Sequence, residues 1–281
     1  MRRPKTAFFD LSCCEGCQLQ VVNSGELLLE IVNLVDIVEF REAISEKWDG
    51  DLDVAFVEGS VTDEHAAERL KKIRARTKTL VALGSCATIG GVNGMKNAFD
   101  LIEVGRIVYG EDRRLFPTTA TRALHQVVPV EYTIHGCPIY IPEFLTALKC
   151  ILAGIPYTVP DQAVCAECKC NENVCLFDRG VTCLGPVTRA GCNSWCVNNG
   201  NICYGCRGLV SNPNEKGMLQ VLTAHGISLE HVVKKMEMYN RCREEGVVTA
   251  NPHSPTQKGV VTANPLLPPL AKGEQGGLNS E

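Results

Sequence analysis

The sequence predicts an α/β protein: a doubly wound parallel sheet with helices on both faces, followed by a small irregular domain that its own apolar residues cannot hold together. Three observations lead there. Strand-like and helix-like runs alternate over the first 160 residues, as in a parallel sheet with crossover helices. Three of the strands run into cysteines that sit beside glycines. Nine cysteines then crowd into the 45 residues Val164–Gly208, where apolar periodicity disappears.

Taken in order, Lys5–Phe9 reads as a short strand. Gln18–Val32 carries Leu19, Val22, Leu28, Ile31 and Val32 at helical spacing. Asp36–Phe40 and Asp53–Val57 are β-rich, and Asp63–Arg76 reads as a helix with Thr62 as its N-cap. Thr79–Leu83 and Val128–Ile134 are further strands, and Pro142–Ala153 is a helix with proline in its first turn. Asn214–Glu245 returns to helical periodicity. The chain is therefore divided into an α/β domain over 1–160, a cysteine-rich domain over 161–212, a helical segment over 213–245 and a tail over 246–281. The tail repeats Gly-Val-Val-Thr-Ala-Asn-Pro at 246–252 and 259–265, is rich in Pro and Gly, and reads as disordered.

Composition narrows the functional class. The chain has 281 residues, 45% apolar and 21% charged, with a net charge of −4. No basic field suits nucleic acid, and no polybasic run suits a membrane surface. The start lacks the apolar core and cleavage site of a signal peptide, and no stretch approaches the ~18 apolar residues of a membrane span. Those features point to the cytoplasm, where thiols stay reduced, so the sixteen cysteines are read as metal ligands rather than disulfides.

Their positions sort them. Cys14 and Cys17 follow the first strand, Cys86 follows Thr79–Leu83 in Gly84-Ser85-Cys86, and Cys137 follows Val128–Ile134 in Gly136-Cys137-Pro138. Ligands of open parallel sheets bind beyond the carboxyl ends of the strands, so these four converge on one crevice, with Gly59 lining it. The second group runs Cys165, Cys168, Cys170, Cys175, Cys183, Cys192, Cys196, Cys203 and Cys206 and contains two CxxC pairs, Cys165/Cys168 and Cys203/Cys206. Structural zinc uses the same pairs. Zinc does not account for the crevice set, whose ligands come from distant strand ends, and the balance favours iron–sulfur clusters. The spacing is not the Cx₂Cx₂Cx₃CP run of a bacterial ferredoxin. Cys150, inside an apolar helix, reads as a core residue, and Cys13 as a spare whose side chain diverges from that of Cys14.

At these residues the sequence resembles the small, electron-transferring subunit of [NiFe] hydrogenases, of the cytoplasmic kind found in sulfhydrogenase (delta subunit), NAD(P)-linked and methyl-viologen-reducing enzymes. The carrying segments are Phe8–Gln20 with its Cys-Cys-Glu-Gly-Cys, Val57-Glu58-Gly59-Ser60, Gly84-Ser85-Cys86-Ala87, Gly136-Cys137-Pro138, Cys183–Cys192, and Cys203-Tyr204-Gly205-Cys206-Arg207-Gly208. The resemblance spans about residues 5–212. It implies a flavodoxin-like first domain and three [4Fe–4S] clusters in a row. The proximal cluster takes Cys14, Cys17, Cys86 and Cys137. The medial takes Cys192, Cys203 and Cys206, with Cys196 as a fourth ligand where many periplasmic relatives have three cysteines. The distal takes Cys165, Cys168, Cys175 and Cys183, with Cys165 where those relatives carry histidine and Cys170 as a substitute for Cys168 or Cys175. Cys13, Cys150, Cys170 and Cys242 are left over.

The resemblance further implies that the catalytic nickel–iron centre lies in a separate large subunit, and that electrons pass onward to a flavin subunit using NAD(P) or to another iron–sulfur protein. The alternatives are the proximal-cluster subunit of an NADH:quinone oxidoreductase-like complex, for which Cys13-Cys14 offers a superficial tandem pair, and a zinc-stabilised interaction module. Three smaller expectations accompany this reading. His135 is a satisfied structural histidine, Gly90–Gly94 is a loop near Cys86, and Trp195 shields the medial cluster from water.

Overall fold

A computed structural model describes residues 2–242. The proposed tail and the last three residues of the helical segment lie outside the described residues.

The elements follow one another as β1 (Lys5–Asp10), α1 (Gly16–Val22), α2 (Glu26–Leu34), β2 (Asp36–Phe40), β3 (Leu52–Glu58), α3 (Glu64–Ala75), β4 (Thr77–Leu83), α4 (Gly84–Ile89), α5 (Leu101–Tyr109), β5 (Tyr132–Ile134) and α6 (Ile141–Ala153). Short helices α7 (Val164–Cys170) and α8 (Trp195–Asn198) punctuate the cysteine-rich segment, and α9 (Glu215–Ala224) and α10 (Leu229–Asn240) close the chain. All neighbouring strands are parallel, in the order β2-β1-β3-β4-β5. That is the flavodoxin-like order, and its direction reverses between β1 and β3. The crevice expected from the sequence opens at this reversal, where Asp10 of β1 lies in register with Glu58 of β3.

The pleat sends alternate residues into two cores. Phe8, Val54, Phe56, Val81 and Leu83 face one side, where Phe8 stacks on Phe40 and Phe56 with ring centroids 4.3 and 4.9 Å apart and α6 adds Phe144. Ala7, Phe9, Ala55, Val57, Leu80 and Ala82 face the other, against Leu70 and Ile73 of α3.

Several boundaries differ from the sequence expectation. The single helix over Gln18–Val32 is two, α1 and α2, because Gly25 takes a positive φ of 62° between them. The cap of α3 is Asp63, not Thr62: its carboxylate accepts from the Ala66 N–H at 2.8 Å, while the Thr62 hydroxyl pairs with Ser12 Oγ at 2.5 Å. The last strand begins at Tyr132 instead of Val128, since Val128 follows a 3-10 turn over Leu124–Gln126 and Pro129 has no N–H for a ladder. Asn214–Glu245 is likewise divided, with Gly226 at φ 64° between α9 and α10.

The cysteine-rich segment has more apolar support than its sequence suggested. Val164, Phe177, Leu184, Val187 and Leu209 form a third core with Met218 and Leu222 of α9 and Val232 and Met236 of α10. The partners lie after the segment in sequence, which is why its own composition did not reveal them.

Candidate metal centres

The crevice set forms from three loops. The turn after β1 carries Glu15 at φ 62° and starts α1 with Cys17 inside and Cys14 exposed. Glu58, at the end of β3, is 2% exposed and accepts from the N–H groups of Cys17 (3.1 Å) and Gln18 (3.0 Å). It thereby fixes the first turn of α1. Burial pushes the Glu58 carboxyl above the usual range, against the pull of those two donors. β4 delivers Cys86, and Gly84 (φ 81°) packs so closely that a Cβ there would stand 2.3 Å from Cys17 Sγ. β5 delivers Cys137, and the Gly136 carbonyl accepts from the Ser85 N–H at 2.7 Å. Burial, then the Cys137 and Cys14 charges, push the Cys86 thiol up to about 12. Cys17 is raised by burial and by Glu58, with Cys137 adding to it. Cys137 thus acts on both Cys17 and Cys86.

Cys192, Cys196, Cys203 and Cys206 line one cavity of about 50 Å³, together with Cys137, Val197, Tyr204 and Tyr239. That space is several times the ~10–15 Å³ that holds one water. Burial and then Cys192 push Cys206 up to about 12. The third set also assembles. Cys165 is pushed up to about 12 by burial and then by Cys183, Cys168 and Cys175. A Cβ on Gly185 would lie 3.2 Å from Cys165 Sγ and 3.6 Å from Cys183 Sγ.

The sets adjoin in series. Cys137 of the first lines the cavity of the second. The Ser85 hydroxyl donates to the Cys206 carbonyl. The Cys203 N–H donates to Cys183 Sγ at 3.3 Å, joining the second set to the third. In every set, thiolates would repel one another in a low-dielectric surrounding. A positively charged centre reverses that preference, because the thiolate is the ligating form.

Among the described residues, two buried polar side chains lack partners: both amide atoms of Gln18, beside Cys17, and both ring nitrogens of His135, near Cys137. Buried polar groups are ordinarily satisfied, so the donors among them, the Gln18 amide N–H₂ and one His135 ring N–H, fit a bound group with acceptor sulfurs. His135 is thus buried, as expected, but not satisfied within the chain. Burial, then the Arg189 and Arg207 charges, hold it far below the usual histidine range and hence neutral.

Trp195 does not shield the second set. It is 59% exposed and tilts against Tyr140, while Val197, Tyr204 and Tyr239 line the cavity. Cys150 packs against the Phe8 core, and Cys170 is exposed. Cys13 reaches the Leu11 carbonyl (3.6 Å), and burial pushes its thiol up to about 12. Gly90–Gly94 does lie beside Cys86: a Cβ on Gly91 would be 2.8 Å from Cys86 Sγ.

Sequence reasoning missed three residues. Tyr239 of α10 hydrogen-bonds Cys137 through its hydroxyl. Cys242 wedges against Gly90 and Gly94 and reaches the Thr121 carbonyl at 3.3 Å. Arg207, 1% exposed, forms a bidentate pair with Glu143 of α6 at 2.6 and 2.6 Å and donates to the carbonyls of His135 (2.7 Å) and Ala190 (2.8 Å). The sequence shows only an arginine directly after a CxxC; its burial, and so its need for a carboxylate, becomes visible in the structure.

A protein described as "Sulfhydrogenase 2 subunit delta" from Pyrococcus furiosus is 36% identical over 238 residues, covering 84% of this chain and 99% of that one. The chain belongs to the family of [NiFe]-hydrogenase small subunits. A subunit of the vhu F420-non-reducing hydrogenase of Methanocaldococcus jannaschii is 30% identical, covering 84% of this hydrogenase-family chain and 93% of the relative. A family described as "NADH ubiquinone oxidoreductase, 20 Kd subunit" matches residues 14–151, the α/β part alone. Its description names one of the alternatives, but the relatives that align through the cysteine-rich segment are hydrogenase subunits. Among solved structures, an NAD+-reducing [NiFe]-hydrogenase chain superposes with a TM-score of 0.50 at 26% identity, covering 57% of this chain and 96% of that one. As a member of this family the chain is an oxidoreductase subunit.

Proposed function

We propose that this chain is the electron-transferring small subunit of a cytoplasmic [NiFe] hydrogenase. It relays electrons between the Ni–Fe centre of a large subunit and an external acceptor through three [4Fe–4S] clusters. The ligand sets are Cys14/Cys17/Cys86/Cys137, Cys192/Cys196/Cys203/Cys206 and Cys165/Cys168/Cys175/Cys183. The observation that carries the reading is the series contact of the three thiol sets through Cys137, Ser85–Cys206 and Cys203–Cys183. When bound, the clusters supply one-electron chemistry, and the protein supplies position, hydrogen bonds and exclusion of water.

Zinc is the alternative occupant, since structural zinc uses the same CxxC pairs. Among the described residues no helix is long and apolar enough to cross a membrane.

The large subunit has a suitable face. Phe99, Ile102, Ile107, Val108 and Leu115, on and around α5, are 62–72% exposed, and this segment follows directly from the Cys86 loop. Exposed apolar patches of this kind mark contact surfaces. Delivery of electrons from a neighbouring catalytic chain to the Cys86 set fits this placement. The acceptor is a flavin subunit using NAD(P) or another iron–sulfur protein, docking near the exposed Cys175 end.

Anaerobic purification with metal and sulfide analysis tests the reading. About twelve irons and twelve sulfides per chain, from three four-iron clusters, with nickel on a co-purifying large subunit, is the expected result. Stoichiometric zinc without sulfide would overturn it.

A further inference from the structure

We propose that the buried Arg207–Glu143 pair sets the reduction potential of the medial cluster, with Glu143, contributed by the α/β domain, holding that potential down. The proposal rests on the reading that Cys192, Cys196, Cys203 and Cys206 hold an iron–sulfur cluster.

Arg207 is the peptide neighbour of Cys206 and lines the same cavity as all four cysteines. The pair also reaches the other end of the set. A Cβ on Gly191, the residue before Cys192, would stand 2.2 Å from Arg207 Nη2 and 2.8 Å from Glu143 Oε1. Both charges therefore press on the backbone that presents Cys192. Four of the five guanidinium N–H groups are committed: Nε to Arg189 and Ala190 carbonyls, Nη1 to His135 O and Glu143 Oε2, and one Nη2 hydrogen to Glu143 Oε1. The fifth, on Nη2, is on the nitrogen that lies against Gly191. The guanidinium charge pulls on both the Cys192 and Cys206 thiols, against their burial.

Electrostatics gives the direction. One-electron reduction adds one negative charge to the thiolate-bound cluster and breaks no bond. A guanidinium beside it favours the reduced form, and a carboxylate opposes it. Arg207 is 1% exposed and Glu143 8%, so solvent screens neither strongly. Cluster potentials respond to local charge and to hydrogen bonds at the sulfurs. Glu143 cancels most of the Arg207 charge through its two 2.6 Å bonds, and the Tyr157 hydroxyl donates to Glu143 Oε1 at 2.7 Å without adding charge.

The test is a potentiometric titration of the anaerobically purified complex, with dithionite as reductant and EPR as readout, alongside iron and sulfide counts. Glu143→Gln keeps the shape and removes the charge. It should move the medial midpoint positive and leave the other two midpoints and the iron count in place. Glu143→Asp, which withdraws the carboxylate by one methylene, should produce a smaller shift in the same direction, and serves if the glutamine variant does not fold. Tyr157→Phe, which removes a neutral hydrogen bond to the same carboxylate but no charge, should move the midpoint far less than Glu143→Gln. A medial midpoint unmoved in a fully loaded Glu143 variant, or moved equally by Tyr157→Phe, would show the pair to be only a clamp and overturn the proposal. Wild-type protein lacking a medial cluster signal would instead overturn the functional reading beneath it.

Discussion

At the residue scale, the strongest constraints sit where backbone meets sulfur. Gly84 combines φ 81° with a hypothetical Cβ 2.3 Å from Cys17 Sγ. Gly84→Ala therefore meets both left-handed strain, about 1–3 kcal/mol, and a clash with a thiol. The expected outcome is loss of the proximal cluster alone, seen as about four fewer irons per chain with the other two EPR signals intact. Cys196→Ser should act only on the medial set, lowering iron from about twelve to between about eight and about eleven per chain, depending on whether a three-iron cluster survives. Loss of the proximal signal instead would contradict the ligand assignment. A third residue prediction concerns acid. Burial raises the pKa of Asp10, but the Arg69 hydrogen bond and the Arg69 and Arg41 charges outweigh it, so the folded pKa is lowered from 3.8. A depressed carboxyl stabilises the fold above its unfolded pKa and loses that contribution as pH falls through the folded one. Asp10→Asn should thus lower stability by a constant amount from pH 8 to about pH 5, and denaturant unfolding should find the gap narrowing only below that. The placement of Cys14, Cys17, Cys86 and Cys137 around one crevice was legible because strand ends are positional. Tyr239, Gln18 and Arg207 were not, because each becomes informative only once burial and a distant partner are known.

At the element scale, the first four strands were legible from apolar β-branched runs, and the start of the fifth and the helix boundaries were not. Gly25 and Gly226 each split what apolar spacing alone presented as one helix, since periodicity continues in phase across the break. The 92–116 segment was missed altogether. Its apolar residues follow helical spacing, yet α5 has no buried residue among the described ones, so it serves neither sheet core. Ile107→Glu should leave the isolated subunit's stability within about 0.5 kcal/mol, as exposed substitutions do. It should also sharply reduce the large subunit recovered in anaerobic co-purification. Undiminished recovery would move the contact face elsewhere.

At the scale of the whole molecule, a buried ion pair links the α/β part to the cysteine-rich segment, whose apolar core is a cluster separate from the two beside the sheet. That pair is Arg207–Glu143, and Arg189 adds backbone contacts within the cysteine-rich segment. Removing one partner of such a pair strands the other in a low dielectric, at about 3–5 kcal/mol. Both Glu143→Ala and Glu143→Gln strand the Arg207 charge, but glutamine keeps the side-chain volume and one acceptor oxygen, so Glu143→Ala should destabilise the chain more, and thermal unfolding of the two variants measures the difference. The sequence implied that metal alone holds the cysteine-rich segment. The third core adds α9 and α10, which lie beyond it in the chain. A truncation after Pro213 should therefore lose the medial and distal clusters while keeping the parallel sheet, as read by iron content and far-ultraviolet circular dichroism.

The return of α10 to the first domain has a consequence for how the protein is made. Tyr239 caps Cys137 and Cys242 seats beside Cys86, yet both leave the ribosome more than a hundred residues after Cys86. Tyr239 and Cys242 can take up these places only once the chain has been made to residue 242, so this part of the crevice wall is completed last, while Cys14 and Cys137 remain exposed in the finished fold.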